Sequence, residues 1–259
     1  MLICIDAGHC LTTPGKRCLK SIDPEETREW VLNSRIAEKV CSGLERYRCR
    51  TMRVDDVTGQ RDVSLAQRVA AANGAAADVY LSIHHNAGVN GETGGGVVVY
   101  VHPEAGAEER ALQRAVYTQV VERTGLRGNR ANPLAQADLY VLRRAKMPAL
   151  LGEFGFMDST TDTPVILAEE FAEQAARGIV EALVQVYQLE EKEMTREEIR
   201  AIVREELERV EAERAVLDAS DWAKPILEQA KSRGITDGSR PQAYATRQEV
   251  AAMVNAAVK

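Results

Sequence analysis

Aromatic side chains are scarce: Phe, Trp and Tyr make up 5% of the 259 residues, so any core must be filled by aliphatic residues and alanine. Long apolar runs are missing too. No stretch approaches the about 18 residues that a membrane-spanning helix needs. There is no basic excess, since 39 acidic residues face 33 basic ones for a net charge of −6. That balance argues against nucleic acid as a main partner, because neutralising phosphates takes clustered Lys and Arg. The cysteines (Cys4, Cys10, Cys18, Cys41, Cys49) are odd in number, confined to the first fifth of the chain and free of any C-x-x-C pair. They read as reduced, buried thiols rather than a disulfide framework or a Cys-only zinc site. The N-terminus has no basic segment and no small-residue cleavage site, which predicts synthesis in the cytoplasm without a signal peptide.

What is present is a 45% hydrophobic chain with two distinct parts. Sixteen of its eighteen glycines lie before residue 188. In that part, short aliphatic runs at Leu2–Ile5, Thr51–Val54, Val79–Ile83, Val97–Val101, Tyr140–Leu142 and Ala149–Leu151 predict strands. Amphipathic stretches at Arg28–Tyr47, Ser64–Ala75, Ala107–Thr124 and Pro164–Tyr187 predict helices between them. This order predicts an α/β fold over 1–187 with a mostly parallel twisted sheet flanked by helices. Ligands of such sheets bind beyond the carboxyl ends of the strands.

From Gln188 to Leu217 there is no Gly or Pro, and 16 of 30 residues are charged. With Ile199, Val203, Leu207, Val210 and Leu217 at helical spacing, 188–217 reads as one long charged helix. It is either a solvated linker or a seam for a homodimer, although a strict heptad puts Arg214 in that seam. Residues 218–259 read as a small all-α module, with helices over Asp221–Arg233 and Thr246–Val258 around a turn cluster at Gly234–Pro241. Thr246 and Glu249 have the spacing of a capping box.

Only four histidines are available: His9, His84, His85 and His102. His9 follows the first strand, in a loop that Gly8 lets turn sharply, and His84 follows the third. Two histidines at the carboxyl ends of two parallel strands can converge on one point. A carboxylate from the start of the first helix would complete a His2Glu set with an open position, the layout of hydrolytic zinc sites. Glu25, Glu26 and Glu29 all compete for that place.

The segments ICIDAGHC, REWVLNSRIA, SLAQRVAAAN, VYLSIHHNAG and LYVLRRAKMPALLGEFGFMDS, in this order, resemble the zinc-dependent N-acetylmuramoyl-L-alanine amidases of the third type. The resemblance spans about residues 1–187 and implies zinc ligation by His9, Glu29 and His84, with Glu153 as the catalytic carboxylate. Glu29 is preferred because the family's Glu leads an apolar helical run with Asn four residues on, as Asn33 stands here. The resemblance weakly implies substrate contact by Asn86. His85 is expected to shape the cleft from the opposite strand face, and Arg68 and Asn73 to anchor structure. His102 has no counterpart.

Cys10 stands where the family usually has Gly, and the loop Leu11–Thr27 is less family-like. A thiol next to His9 is chemically able to ligate zinc or act as a nucleophile, but adjacent residues rarely converge on one ion. The segment DWAKPILEQAKSRGITDG with YATRQEVAAMV resembles a single S-layer-homology module, which implies a secondary cell-wall polymer as partner.

These resemblances imply a peptidoglycan hydrolase that cleaves the amide between the lactyl group of N-acetylmuramic acid and L-alanine. They place it as a phage or prophage endolysin or an autolysin, released by lysis or a holin. A non-catalytic wall-binding or scaffold protein and a zinc peptidase acting on stem-peptide bonds are the rivals.

Overall fold

The computed structural model describes residues 1–193 and 195–258. The chain divides into two compact units, Met1–Lys192 and Glu193–Lys259. The first holds a six-stranded sheet built from β1 (Leu2–Ala7), β2 (Arg50–Arg53), β3 (Val79–Asn86), β4 (Val97–Val101), β5 (Leu134–Gln136) and β6 (Ala149–Phe156). The strand order is β2-β1-β3-β6-β4-β5. The β1–β2, β1–β3 and β3–β6 pairs are parallel. The β4–β5 pair is also parallel, but β4 runs antiparallel to β6. The sheet is therefore mostly parallel, as the alternation of strands and helices predicts.

Both faces are covered, which is why the strands read as nearly continuous apolar runs. Alternate residues of each strand point to opposite faces. Ile3, Ile5, Leu81, Ile83 and Leu150 pack with α1 (Glu29–Leu44), α3 (Ala107–Thr124) and α6 (Glu169–Tyr187). Cys4, Tyr80 and Leu151 pack on the other face with α2 (Leu65–Gly74) and α4 (Tyr140–Arg144). Cys4, Cys10 and Cys18 are buried and all five thiols are free.

Several expectations need correction. Tyr140–Leu142 is not a strand but the start of α4, because Val141 and Leu142 fill a gap against Val69 and Ala72 of α2. The strand on that side is β5, whose short sequence LAQ carries little signal. It exists because β4 pairs with it, and because Gln113 of α3 donates to Val99 O and Ala135 O at 2.6 and 2.8 Å. The helix expected over Pro164–Tyr187 is two, α5 (Thr163–Ile166) and α6, with Ala168 in an extended conformation between them.

The long charged helix does not begin at residue 188. Gln188 caps α6 in the left-handed region, and the chain turns back so that Arg48 N donates to Glu190 O and Lys192 N to Arg46 O, both at 2.8 Å. The helix is α7 (Arg196–Ala215), capped by Thr195 with Glu198 completing a capping box. In the same unit lie α8 (Lys224–Ser232) and α9 (Arg247–Ala257), the latter with its Thr246–Glu249 capping box formed. None of these three helices carries a buried residue.

Candidate active site

The site is assembled where the parallel strands end. β1 delivers Asp6 to the α2 side of the sheet, where Tyr80 and Ser82 hydroxyls each donate to its Oδ2 at 2.8 Å. Arg68 of α2, fully buried, donates to Asp6 Oδ1 at 2.5 Å, to Ala7 O at 2.7 Å and to His9 O at 2.9 Å. One guanidinium thus fixes the loop that carries His9 at three points, the structural anchoring read from the sequence.

The sharp turn lies one residue later than expected. His9 itself is left-handed, with φ 66°. Gly8 is needed for space instead: a Cβ there would lie 1.9 Å from Cε1 of the His84 ring.

Glu29 is the first residue of α1, fully buried, with its backbone N donating to Lys16 O at 3.1 Å. Its Oε1 lies 3.4 Å from His9 Nε2 and 3.0 Å from His84 Nδ1. The two imidazoles meet edge to face with centroids 5.0 Å apart. One ligand atom each from His9, Glu29 and His84 lie within 4.8 Å of one another.

Of the three competing acids, only Glu29 points here. Glu26 pairs with Arg17 and Lys20 at 3.0 and 3.7 Å, and Glu25 N donates to Asp23 Oδ1 in the loop. Asn33, one turn along α1, donates to Gly8 O at 3.0 Å and to Glu29 Oε1 at 3.5 Å. Its Oδ1 accepts from His85 Nδ1 at 2.8 Å, so His85 sits on the α1 side, opposite His84.

Strands β3 and β6 run further than their apolar runs suggest, so His84 and Glu153 are strand residues rather than loop residues. They are direct partners in the parallel ladder and share one face. Beyond them the register shifts between His84 and Asn86, a bulge at the sheet's edge of the kind that re-aims side chains near sites. A cleft of about 330 Å³ opens there, lined by Pro14, Lys16, Asn86, Glu153 and Met157 among others. A second, of about 440 Å³, is lined by His9, His84, Asp62 and Ser64 among others.

The electrostatics separate the two acids. Burial alone would raise Glu29, but the His84 hydrogen bond and the charges of His84, His9 and Lys16 hold it at about 2. Burial lifts Glu153 to about 7, and its Oε2 is buried without a hydrogen-bond partner. Burial also lowers His9 to about 4 and His85 to about 3, so both imidazoles are neutral. One acid is thus kept ionised and the other poised near neutrality, a pattern that marks acid–base sites.

The remaining sequence candidates fall outside this cluster or beside it. Asn86 lines the first cleft, with its Oδ1 accepting from Ala87 N at 2.8 Å. Asn73 ties α2 to the segment after α4 through Arg144 O and Lys146 N. His102 accepts from Glu104 N and lies 3.4 Å from Asp138, a local loop contact. The Cys10 thiol lies 3.3 Å from the hydroxyls of both Thr12 and Thr13 and is not among the residues that converge. Lys16 is the site residue that sequence reasoning missed. It is one lysine in an irregular loop, and nothing in its spacing signals proximity to Glu29.

Residues 3–185 match the family of N-acetylmuramoyl-L-alanine amidases. A sporulation-specific N-acetylmuramoyl-L-alanine amidase of Bacillus subtilis is 35% identical over 134 residues, which cover 51% of this chain and 49% of that protein. The chain thus spans about half the length of this relative. An endolysin of Bacillus phage SPP1 is 31% identical over 199 residues, covering 74% of this chain and 68% of the endolysin. The crystal structure of an N-acetylmuramoyl-L-alanine amidase from Clostridium difficile 630 superposes with a TM-score of 0.64 at 27% identity, over 72% of this chain and 96% of that one. The family match takes in nearly all of the sheet and every residue placed at the site, and the chain therefore belongs to the N-acetylmuramoyl-L-alanine amidase family.

Proposed function

We propose that this chain is a zinc-dependent peptidoglycan hydrolase that cleaves the amide between the lactyl group of N-acetylmuramic acid and the L-alanine of the stem peptide. The observation that carries this reading is the convergence of His9, Glu29 and His84, with Glu153 beside His84 in the ladder. The donor set suits zinc, being two imidazole nitrogens and one carboxylate: burial keeps His9 neutral and Glu29 is held ionised, while His84, raised by its hydrogen bond to Glu29, gives up its proton on ligation. Glu29 Oε2, moreover, is buried and makes no hydrogen bond, as expected of a carboxylate built to face a cation.

When bound, zinc supplies Lewis acidity, acidifying a water and polarising the scissile carbonyl. Glu153 takes the proton of the attacking water as the new C–O bond forms and the carbonyl π pair moves onto oxygen. It then returns that proton to the amine as the pair collapses back and the C–N bond breaks. A carboxyl held near 7 by burial suits both transfers at neutral pH. Asn33 and His85 hold Glu29 and the His9 loop in place, as residues behind metal ligands commonly do.

The test is digestion of purified cell walls with mass spectrometry of the fragments. Zinc-loaded protein is expected to release intact stem peptides with a free N-terminal L-alanine. Chelated protein and Glu153→Gln should release none above background. Cleavage within the stem would instead make the chain a zinc peptidase, and full clearing by Glu153→Gln or by chelated protein would overturn the reading.

The likeness to a phage endolysin and to a sporulation amidase supports action on the wall after release from the cytoplasm, as a lysin or an autolysin. We attach the wall-polymer role to Glu193–Lys259, whose Trp222, 75% exposed, offers its ring to a ligand.

A further inference from the structure

Lys16 occupies an unusual position for a surface lysine. Its carbonyl accepts from Glu29 N at 3.1 Å, and its ammonium lies 3.6 Å from Glu29 Oε2. The backbone around it is locked: Arg17 bridges Arg28, Cys18 N donates to Thr27 O at 2.8 Å, and Arg28 donates to Thr13 O at 2.7 Å. At 3.6 Å the ammonium is beyond hydrogen-bond length from Glu29, so it keeps its donors for the cleft it lines with Asn86 and Glu153. Its field reaches His9, Glu29 and Glu153 together.

A cation at this point is repelled by any metal that Glu29 ligates. The Glu29 carboxylate attracts it at 3.6 Å without a hydrogen bond, and its donors find a close acceptor only when negative charge appears between ammonium and metal. In amide hydrolysis that moment is the addition of water, when the carbonyl pair moves onto oxygen. A group so near the ligand cluster meets the scissile carbonyl, whereas a carboxylate further along the stem peptide would bind further out. We propose that Lys16 is a catalytic residue that stabilises the oxyanion of the tetrahedral intermediate. This rests on the amidase reading above. It is differential stabilisation, because the oxyanion that the ammonium would hydrogen-bond exists only once the carbonyl pair has moved onto oxygen.

The charge argument gives a paired signature that a merely structural role does not. Lys16→Met keeps the stem of the side chain and removes its charge. It is expected to bind zinc as tightly as the parent or several-fold tighter, measured by competition with a chromophoric chelator. Its kcat on soluble muropeptide should fall about 100- to 1,000-fold with KM little changed, in line with the loss of one oxyanion donor. Lys16→Arg should recover most of the rate. Weaker zinc binding together with a slower rate would make Lys16 a structural prop, an unchanged kcat would leave it without a role, and a rise confined to KM would make it a reader of a ground-state anion; each overturns the proposal. A parent protein that binds zinc yet releases no product would overturn the amidase reading and this role together. A hydrolytic parent with an unchanged Lys16→Met overturns this role alone.

Discussion

Glu153 is the residue at which stability and activity should pull apart. It is half-buried at the cleft, its Oε2 is buried without a partner, and the desolvation lifts its carboxyl from an ordinary 4.5 to about 7. Below about 4.5 the folded and unfolded chains both hold the proton, and burial of the neutral acid carries no ionic penalty. Between 4.5 and 7 the unfolded chain releases its proton while the folded one keeps it, so stability falls as pH rises. Above 7 both are ionised and the full penalty remains. At about 1.4 kcal/mol per pH unit, the gap between 4.5 and about 7 amounts to about 3 kcal/mol at pH 8 and under about 1 kcal/mol at pH 5. Glu153→Gln replaces the acid by a neutral side chain of the same shape and removes the penalty. For a unit of this size, about 3 kcal/mol corresponds to roughly 6–12 °C in Tm. Chelated parent and variant should therefore differ by that amount in thermal melts at pH 8 and by a few degrees at most at pH 5. A difference that does not grow with pH would refute the burial argument, whatever the variant does to activity.

Two further substitutions test how the ligand cluster is held. Gly8→Ala drives a methyl into the His84 ring, which must leave its place. The variant is expected to stay folded by circular dichroism yet retain under about one tenth of the zinc of the parent by atomic absorption, and a full equivalent of zinc would show that the ring has another seat. Arg68→Met leaves the buried Asp6 carboxyl without its guanidinium partner, which costs about 3–5 kcal/mol in urea unfolding. A loss under about 1 kcal/mol would mean that the Tyr80 and Ser82 hydroxyls suffice to hold Asp6.

The α/β class was legible because both sheet faces are covered, so the strands appear as aliphatic runs separated by helical periodicity. Their ends were not legible, for a reason tied to function. His84, His85 and Asn86 still belong to β3, and Glu153 lies in the middle of β6. Polar residues there end the hydrophobic signal before the hydrogen-bond ladder ends. Tyr140–Leu142 shows the opposite failure. Three residues with strand propensity form a helical turn because the space above α2 is filled that way, and tertiary packing outweighs local preference over so short a run. The charged tail misled through uniformity: residues 188–192 have the composition of α7, but the Glu190 carbonyl and the Lys192 amide bond to Arg48 and Arg46.

The choice among Glu25, Glu26 and Glu29 shows how far spacing can go. All three precede the apolar run of α1, and any of them could have led it. The structure divides them by conformation. Glu26, at φ 50°, is in the loop and uses its carboxylate to hold Arg17 and Lys20. Glu29 opens the helix, where an anion also gains from the helix dipole, and Asn33 one turn on aims it at the histidines. The two acids therefore act on the same ribbon from opposite ends. Glu26 holds Arg17 and Lys20 of the loop that carries Lys16, and Glu29 receives that residue's carbonyl on its own amide and its ammonium near its carboxylate. The acid set aside as a ligand is thus one of the reasons that Lys16 stands at the cleft. A loop that reads as the least patterned segment of the unit is, in charge and hydrogen bonding, tied directly to the site.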